Sequence, residues 1–177
     1  NGTASLVLAL MGIGIKPGDE VIVPDITFIA TANAAKALGA VVIVADTQKD
    51  VPVISEENVL RLVTEKTKAV IAVDLAGQPC DLDAIRKVTD EHHLILIEDA
   101  AHALGAVYKG KCVGAVADMT TFSFHPVKPV TTGEGGMVVT NDEKLWQKIK
   151  LFRSHGITRD DNPAGGWYYE QIELGYN

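Results

Sequence analysis

Short apolar runs alternate with segments of helical character along almost the whole chain, and this alternation restricts the possible folds more than any other feature. The apolar runs predict strands at residues 20–25, 41–46, 69–75, 94–99, 119–124 and 137–140. Helices are predicted at residues 3–12, 27–38, 55–63, 82–92 and 142–154. Such alternation is typical of an α/β fold with a mostly parallel sheet. Residues 158–166 are predicted to form a surface loop.

The fourth predicted strand ends in two acids. Four consecutive apolar residues at 94–97 indicate a buried strand, and Glu98 and Asp99 follow directly. In open α/β sheets, ligands bind just outside the carboxyl ends of the strands, so both carboxylates are expected to face a ligand crevice and one could hold a protonated nitrogen. The alternative is that Asp99 only caps the next segment.

A single lysine stands in a stiff loop after the next predicted strand. Lys128 lies between Pro126 and Pro129, and Ser123 comes five positions earlier. A lysine held beside hydroxyl and backbone donors suits Schiff-base formation with a carbonyl cofactor, although it could also be an ordinary loop lysine. The pair of Asp99 and Lys128, which are 29 residues apart, matches a pyridoxal phosphate site, where the acid keeps the pyridine nitrogen protonated.

The chain begins with small residues that open an apolar helix. The first amides of a helix have no partner within it, and together with the helix dipole they favour a phosphate. Gly2, Thr3 and Ala4 are therefore candidate phosphate ligands. Ordinary N-capping would explain Thr3 equally well.

Six short motifs link these features to a known family. They are NGTA at 1–4, PDITFIAT at 24–31, GQP at 77–79, EDAAHA at 98–103, FSF at 122–124 with Lys128, and GEGG at 133–136. In this order they resemble the DegT/StrS-type sugar aminotransferases along essentially the whole chain. The resemblance implies the large domain of a fold-type I pyridoxal phosphate-dependent transferase, in which helices flank a mostly parallel central sheet in three layers. It also implies that an N-terminal segment and a C-terminal small domain lie outside residues 1–177.

The resemblance assigns the reactive end of the cofactor to four residues. Lys128 would form the Schiff base with pyridoxal phosphate and then act as general base, and Asp99 would pair with the pyridine nitrogen. His102 would lie near the phenolic oxygen, unless it is hydrogen-bonded within the fold. Phe28 would stack on the pyridine ring, unless it is a core residue.

The remaining assignments concern the phosphate and its surroundings. Ser123 would join Gly2, Thr3 and Ala4 as a phosphate ligand. Gln78 matches a glutamine that lies beside the cofactor in relatives, although its chemical duty does not follow from the sequence. Relatives complete each active site with a second subunit, so a homodimer is expected, with Asn177 as a candidate donor to the partner's phosphate.

The resemblance also implies a substrate. Residues 125–136 and 167–171 look most like the enzymes that aminate a UDP-linked 4-keto-6-deoxy amino sugar on the way to pseudaminic acid, with glutamate as the expected amino donor. One branch of the family has histidine in place of Lys128 and removes a sugar hydroxyl. The lysine therefore favours transamination. Two alternatives remain open, a different pyridoxal phosphate enzyme on the same fold and a non-catalytic regulatory or scaffolding relative.

Composition agrees with a soluble cytoplasmic enzyme. The chain has 177 residues and is 47% hydrophobic, enough for a sizeable core, and no apolar run approaches the roughly 20 residues that span a membrane. A net charge of −7 argues against a nucleic-acid surface. Cys80 and Cys112 have no metal-ligand or disulfide spacing, and His92 and His93 point in different directions, so no metal site is predicted.

Overall fold

A computed structural model describes residues 1–158 and 167–177. Five α-helices are present in these ranges: α1 (Gly2–Gly12), α2 (Ala30–Ala37), α3 (Glu56–Leu60), α4 (Leu82–Glu91) and α5 (Glu143–Phe152). The same ranges contain ten strands: β1 (Glu20–Pro24), β2 (Val41–Ala45), β3 (Thr67–Val73), β4 (Ile95–Asp99), β5 (Val107–Tyr108), β6 (Lys111–Cys112), β7 (Met119–Ser123), β8 (Gly136–Val139), β9 (Ile157–Thr158) and β10 (Glu170–Gln171).

Six of the strands form one central sheet in the order β2-β1-β3-β4-β7-β8. All neighbours in this sheet run parallel except β7 and β8, which are antiparallel. The carboxyl ends of β3, β4 and β7 therefore lie side by side at one edge, where each strand passes into a loop. This edge is where parallel sheets bind ligands.

The sheet has a different set of helices on each face. Alternate strand residues such as Val21, Ile71 and Ile97 pack with α1, α2 and α5, on what we call the near face. The residues between them, such as Ile22 and Leu96, pack with α3 and α4 on the far face. Both faces are thus covered, as a parallel sheet requires, and the domain has three layers.

The structure confirms the six strands and five helices predicted from the periodicity, with shorter bounds for some. Helix α2 begins at Ala30 rather than at residue 27, and α3 ends at Leu60. The sequence did not predict the two-residue strands β5, β6, β9 and β10, because such short pairings leave no hydrophobic periodicity. Of the predicted loop at 158–166, Thr158 lies in β9 and the remainder lies outside the described residues.

Candidate active site

A cavity of about 550 Å³ opens at the carboxyl edge of the central sheet, between the N-terminus of α1 and the loop that follows β7. It brings together residues that are far apart in the sequence. The predicted site residues that line it are Gly2, Thr3, Phe28, Asp99, His102, Ser123 and Lys128. The fold thus gathers seven of the ten predicted site residues around one space.

Asp99 is the last residue of β4 and projects from the near face, as Ile97 does two positions earlier. Its Oδ1 accepts a hydrogen bond of 3.1 Å from the amide of Ala101, and its Oδ2 accepts one of 3.3 Å from the hydroxyl of Thr31. Burial raises the pKa of the Asp99 carboxyl, while these two hydrogen bonds and the nearby His102 and Lys128 act in the opposite direction. The carboxyl group is therefore held in a fixed orientation near His102 and the amine of Lys128.

Glu98 does not face the cavity, which corrects the expectation that both acids at the end of β4 would do so. Successive residues of a strand point to opposite faces, so Glu98 projects from the far face when Asp99 projects from the near face. Its Oε2 accepts hydrogen bonds from the amide of Gly114 and the hydroxyl of Thr120. Only one of the two acids is available to a ligand in the cavity.

Lys128 lies in the loop after β7, where its backbone amide donates a hydrogen bond of 2.9 Å to the carbonyl of His125. Partial burial lowers the pKa of its ammonium group, and the charge of Asp99 opposes this effect. A lowered pKa increases the fraction of uncharged amine at neutral pH. Uncharged amine is the form that attacks a carbonyl.

His102 lies between Asp99 and the loop after β3. Its Nδ1 accepts a hydrogen bond of 3.2 Å from the backbone amide of Ala76, so Nδ1 carries no proton. Burial lowers the pKa of His102, with a further contribution from the charge of Lys128, while Asp99 acts in the opposite direction. The imidazole is therefore neutral near pH 7, with its proton on Nε2, and can donate one hydrogen bond.

The N-terminus of α1, which also lines this cavity, has the chemistry of an anion site. The side chain of Asn1 caps α1 by accepting from the amide of Ala4 at 2.9 Å. Within the described residues, the amides of Gly2 and Thr3 have no protein acceptor. A Cβ atom at Gly2 would lie 2.8 Å from the Cβ of Ser123, so only glycine allows α1 to approach β7 this closely. Two free amides, a hydroxyl and the positive end of the helix dipole thus lie together in the lining of one cavity.

The other predicted residues lie in different surroundings. Phe28 is at the rim of the cavity, with 71% of its surface exposed. Ala4 and Asn177 line a second cavity of about 930 Å³ between α1, β8 and α5, to which Thr3 also contributes. Gln78 lines neither cavity, and its side-chain amide donates to the carbonyl of Pro79.

Sequence reasoning gave no role to four polar residues that line the first cavity: Asn1, Thr31, His125 and Glu134. Thr31 projects from the first turn of α2 toward Asp99. His125 and Glu134 approach each other across the loop that carries Lys128, with 4.0 Å between Nε2 and Oε1. Each stands in one of the six motifs or directly beside one, which is the only sequence signal that could have indicated them.

Comparison with known proteins identifies the family. The profile of the DegT/DnrJ/EryC1/StrS aminotransferases matches residues 1–177, which is the whole chain. The chain belongs to this family. The chain spans about half the length of the curated relatives that it matches.

Two relatives and one solved structure show the range of this family. GDP-perosamine synthase of Escherichia coli O157:H7 is 46% identical over 100% of the chain and 47% of its own length. UDP-4-amino-4,6-dideoxy-N-acetyl-beta-L-altrosamine transaminase of Campylobacter jejuni is 45% identical over 100% of the chain and 46% of its own length. The PLP-form of the putative sugar aminotransferase Spr1654 of Streptococcus pneumoniae is 34% identical, with a TM-score of 0.90 over 99% of the chain and 48% of that structure. The fold class predicted from the sequence is thereby confirmed.

None of the helices in the described part of the chain combines the length and apolar character that crossing a membrane requires. Across residues 1–158 and 167–177, no group of three or more His, Cys, Asp or Glu side chains is arranged to hold a metal ion.

Proposed function

We propose that the protein containing this chain is a pyridoxal phosphate-dependent aminotransferase that transfers an amino group to the 4-keto group of a nucleotide-linked 6-deoxy sugar. One observation carries the proposal. Lys128, Asp99 and His102 line one cavity, and residues with free amides at the N-terminus of α1 line it as well. An aldehyde cofactor with a basic ring nitrogen, a phenolic oxygen and a phosphate would find a matching group for each of these functions.

The residues present fit this cofactor by their chemistry. The amides of Gly2 and Thr3 and the hydroxyl of Ser123 would hold the phosphate, and Asp99 would hold the proton of the ring nitrogen. His102 would donate from Nε2 to the phenolic oxygen, because its Nδ1 already accepts from Ala76. The exposed ring of Phe28 at the cavity rim would cover one face of the cofactor.

Lys128 would perform the proton transfer that defines the reaction. When bound, pyridoxal phosphate supplies an electron sink that stabilises negative charge at the reacting carbon. The Lys128 amine would hold the cofactor in the resting enzyme and, once free, would accept and return a proton as the general base. Its lowered pKa suits this duty, because the amine must be uncharged to accept the proton.

The relatives support a nucleotide-linked sugar as the amino acceptor. One relative is named for a GDP-linked sugar and another for a UDP-linked amino sugar. Both match 100% of the chain, at 46% and 45% identity. We propose a UDP-linked 4-keto-6-deoxy amino sugar of the pseudaminic acid type as the substrate and glutamate as the donor, in a cytoplasmic enzyme that serves cell-surface polysaccharide synthesis.

A second copy of the chain is proposed to complete the site. Three apolar side chains around the cavity mouth are largely exposed: Phe28 at 71%, Ile29 at 61% and Val127 at 78%. Exposed apolar side chains in one neighbourhood favour a protein partner. A homodimer that covers them would also remove water from the cavity, which strengthens every polar contact there. Asn177 and Gln78, which do not line this cavity, would contribute only through such an assembly or through a closed conformation.

Incubation of the full-length protein with a 4-keto-6-deoxy sugar nucleotide and glutamate tests the proposal. UDP-linked and GDP-linked substrates should be offered side by side, and the amino sugar should be measured by mass spectrometry. Formation of a 4-amino sugar that requires Lys128 supports the assignment, and preference for the UDP sugar supports the substrate. Preference for the GDP sugar would support the proposed amination but show that the proposed UDP-linked substrate is wrong. No amination of either sugar by a dimeric, cofactor-loaded sample would overturn the function.

A further inference from the structure

Two fully buried carboxyl groups lie on the far face of the sheet and take no part in the function proposed above. Asp74 follows β3 and Glu98 is in β4, and both have a relative exposure of 0%. Asp74 Oδ1 accepts from the amide of Cys80 at 3.1 Å, and Glu98 Oε2 accepts from Thr120 and Gly114 at 2.7 and 2.9 Å. The other oxygen of each group, Asp74 Oδ2 and Glu98 Oε1, has no partner among the described residues.

The two unpartnered oxygens can satisfy each other only through a proton. Glu98 is the register partner of Ala72 on the neighbouring strand, and Asp74 comes two residues after Ala72, so both buried side chains project from the same face at adjacent positions. Two ionised carboxylates there would have no donor to share. A buried acceptor without a donor costs about 1–3 kcal/mol, and a buried unpaired charge costs more. One proton between Oδ2 and Oε1 would remove both costs.

Every ionisable group that acts on Asp74 disfavours a second negative charge. Burial raises the pKa of Asp74 to about 8, with a further contribution from the charge of Glu98 and a smaller one from Asp99. The Cys80 thiol, which packs beside Asp74, donates to the carbonyl of Val73. Among the described residues, no lysine, arginine or histidine forms an ion pair with either acid.

We propose that Asp74 and Glu98 share one proton at neutral pH, and that this pair is a positioning device for the cavity edge. The proton joins the end of β3 to β4, and the hydrogen bonds of Glu98 extend the connection to β7 through Thr120. The pair therefore ties three neighbouring strands together directly behind the cavity. Asp74 and Glu98 touch no ligand and act through the backbone that carries Asp99 and His102.

Asp74 also determines the shape of the turn at residues 74–80. Its amide donates to the carbonyl of Asp99 at 3.0 Å, its carbonyl accepts from Gly77, and its carboxyl accepts from Cys80. The turn forces Ala76 into the left-handed region, with φ of 54°, and in this conformation the Ala76 amide donates to His102. The protonated pair thus holds the Ala76 amide in the position from which it donates to His102 Nδ1 and fixes the tautomer of that imidazole. This last step rests on the proposed function, since only there does His102 have a ligand to meet.

The shared proton predicts a distinct dependence of stability on pH. The unfolded chain releases the proton of Asp74 near its ordinary pKa of 3.8, whereas the folded chain retains it up to a pKa of about 8. The folded state holds more protons in this window, so this group makes the protein less stable as the pH rises from about 4 to 8. The unfolding equilibrium constant should increase by up to about tenfold per pH unit from this cause alone.

The test compares Asp74→Asn with the wild type in the full-length, cofactor-free protein, by denaturant unfolding from pH 5 to pH 9. Asparagine can donate to Glu98 and accept from Cys80 without a titrating proton, so the variant should lose this pH slope and exceed the wild type in stability at pH 8. Glu98→Gln should reduce the slope likewise, because its amide supplies the donor instead. Exposed Asp46→Asn is the matched control and should keep the wild-type slope. An unchanged slope in Asp74→Asn would overturn the proposal.

Carbon-13 NMR of the wild type keeps the shared proton testable if a variant does not fold, and nitrogen-15 NMR of folded variants tests the positioning role. Carbon-13 NMR of the wild-type carboxyls at pH 7 should show one protonated buried carboxyl, and its absence would also overturn the shared proton. Nitrogen-15 NMR of His102 should show the proton on Nε2 in the wild type and in Asp74→Asn, and exchange between tautomers in Asp74→Ala. A fixed tautomer in Asp74→Ala would overturn the positioning role. All three readouts are made without cofactor, so failure of the proposed function would leave them unchanged.

Discussion

The hydroxyl of Thr31 donates a hydrogen bond of 3.3 Å to Oδ2 of Asp99 and thereby connects α2 to the end of β4. The Thr31 hydroxyl is itself 2.8 Å from the hydroxyl of Thr27, which lies four residues earlier in the segment that precedes α2. The amide of Ala101 holds the other oxygen of the same carboxyl at 3.1 Å. Asp99 is therefore restrained from two sides, so that its carboxyl plane does not depend on a ligand for its orientation.

Thr31→Val should weaken the site without changing its shape, because valine has nearly the same volume as threonine but no donor. We expect a loss of about 1.5–3 kcal/mol in unfolding free energy, the usual range for a hydrogen bond to a charged group. Turnover should fall about tenfold because the carboxylate becomes mobile. Thr121→Val is the matched control, since the buried Thr121 hydroxyl has no partner in the described part of the chain. Equal losses in the two variants would mean that the Thr31 hydroxyl does not orient Asp99.

Lys128→Ala should abolish amino-sugar formation, because no amine remains to anchor the cofactor or to move the proton. In the wild type, borohydride reduction followed by peptide mass mapping should find the cofactor adduct on Lys128. Cofactor binding through Gly2, Thr3 and Ser123 should remain measurable in the variant by dialysis. Lys36→Ala, an exposed lysine of α2, should behave as the wild type. An adduct on any other lysine would contradict the assignment.

Lys128→His should also stop amination, although histidine can still accept a proton. Imidazole does not form a stable Schiff base, so the resting state with a covalently held cofactor could not be regenerated. Mass spectrometry of the sugar nucleotide after prolonged incubation measures the outcome. A near wild-type yield of the amino sugar would refute the role of Lys128 and favour the non-catalytic alternative.

Asp99→Asn should retain the cofactor but slow the proton transfer by about a hundredfold, which corresponds to about 3 kcal/mol of barrier. The neutral amide cannot keep the ring nitrogen protonated, so the electron sink is weakened. Single-turnover kinetics with glutamate separates this effect from substrate binding. The exposed Asp46→Asn substitution removes the same charge away from the site. Wild-type kinetics in Asp99→Asn would show that this acid only caps the segment after β4.

Gly2→Ala should destabilise the domain by about 1–3 kcal/mol, because the new Cβ would lie 2.8 Å from the Cβ of Ser123. Affinity for pyridoxal phosphate should fall more than affinity for pyridoxal, since the amides at the start of α1 would be displaced from the phosphate. The double variant Gly2→Ala/Ser123→Gly removes the clash and should recover most of the stability. If the double variant instead lost as much thermal stability as the two single variants together, the destabilisation by Gly2→Ala would not come from a clash with Ser123.

Much of the architecture follows from local pattern. Continuous apolar runs such as residues 69–73 and 94–97 indicate strands buried on both faces, and acid-rich starts such as Ser55-Glu56-Glu57 indicate helix ends. These signals depend only on neighbours in the sequence, so they needed no knowledge of the fold. The same holds for Lys128 and Asp99, whose positions after predicted strands were sufficient to bring them to one edge of a parallel sheet.

The direction of each side chain was decided by the tertiary structure. Glu98 and Asp99 are adjacent and chemically alike, yet the pleat of β4 sends one to the far face and the other to the cavity. The sequence alone did not determine which of the two acids faces the cavity, because that depends on which helices pack on each face of the sheet. The amide of Ala76 that holds His102, the hydroxyl that holds Asp99, and the pairing of Asp74 with Glu98 are likewise contacts between segments distant in the chain. The sequence by itself determined the elements and the chemistry available at their ends. Only the packing of those elements decided which groups meet, because a contact across 20 to 70 residues is set by the whole core and leaves no local periodicity.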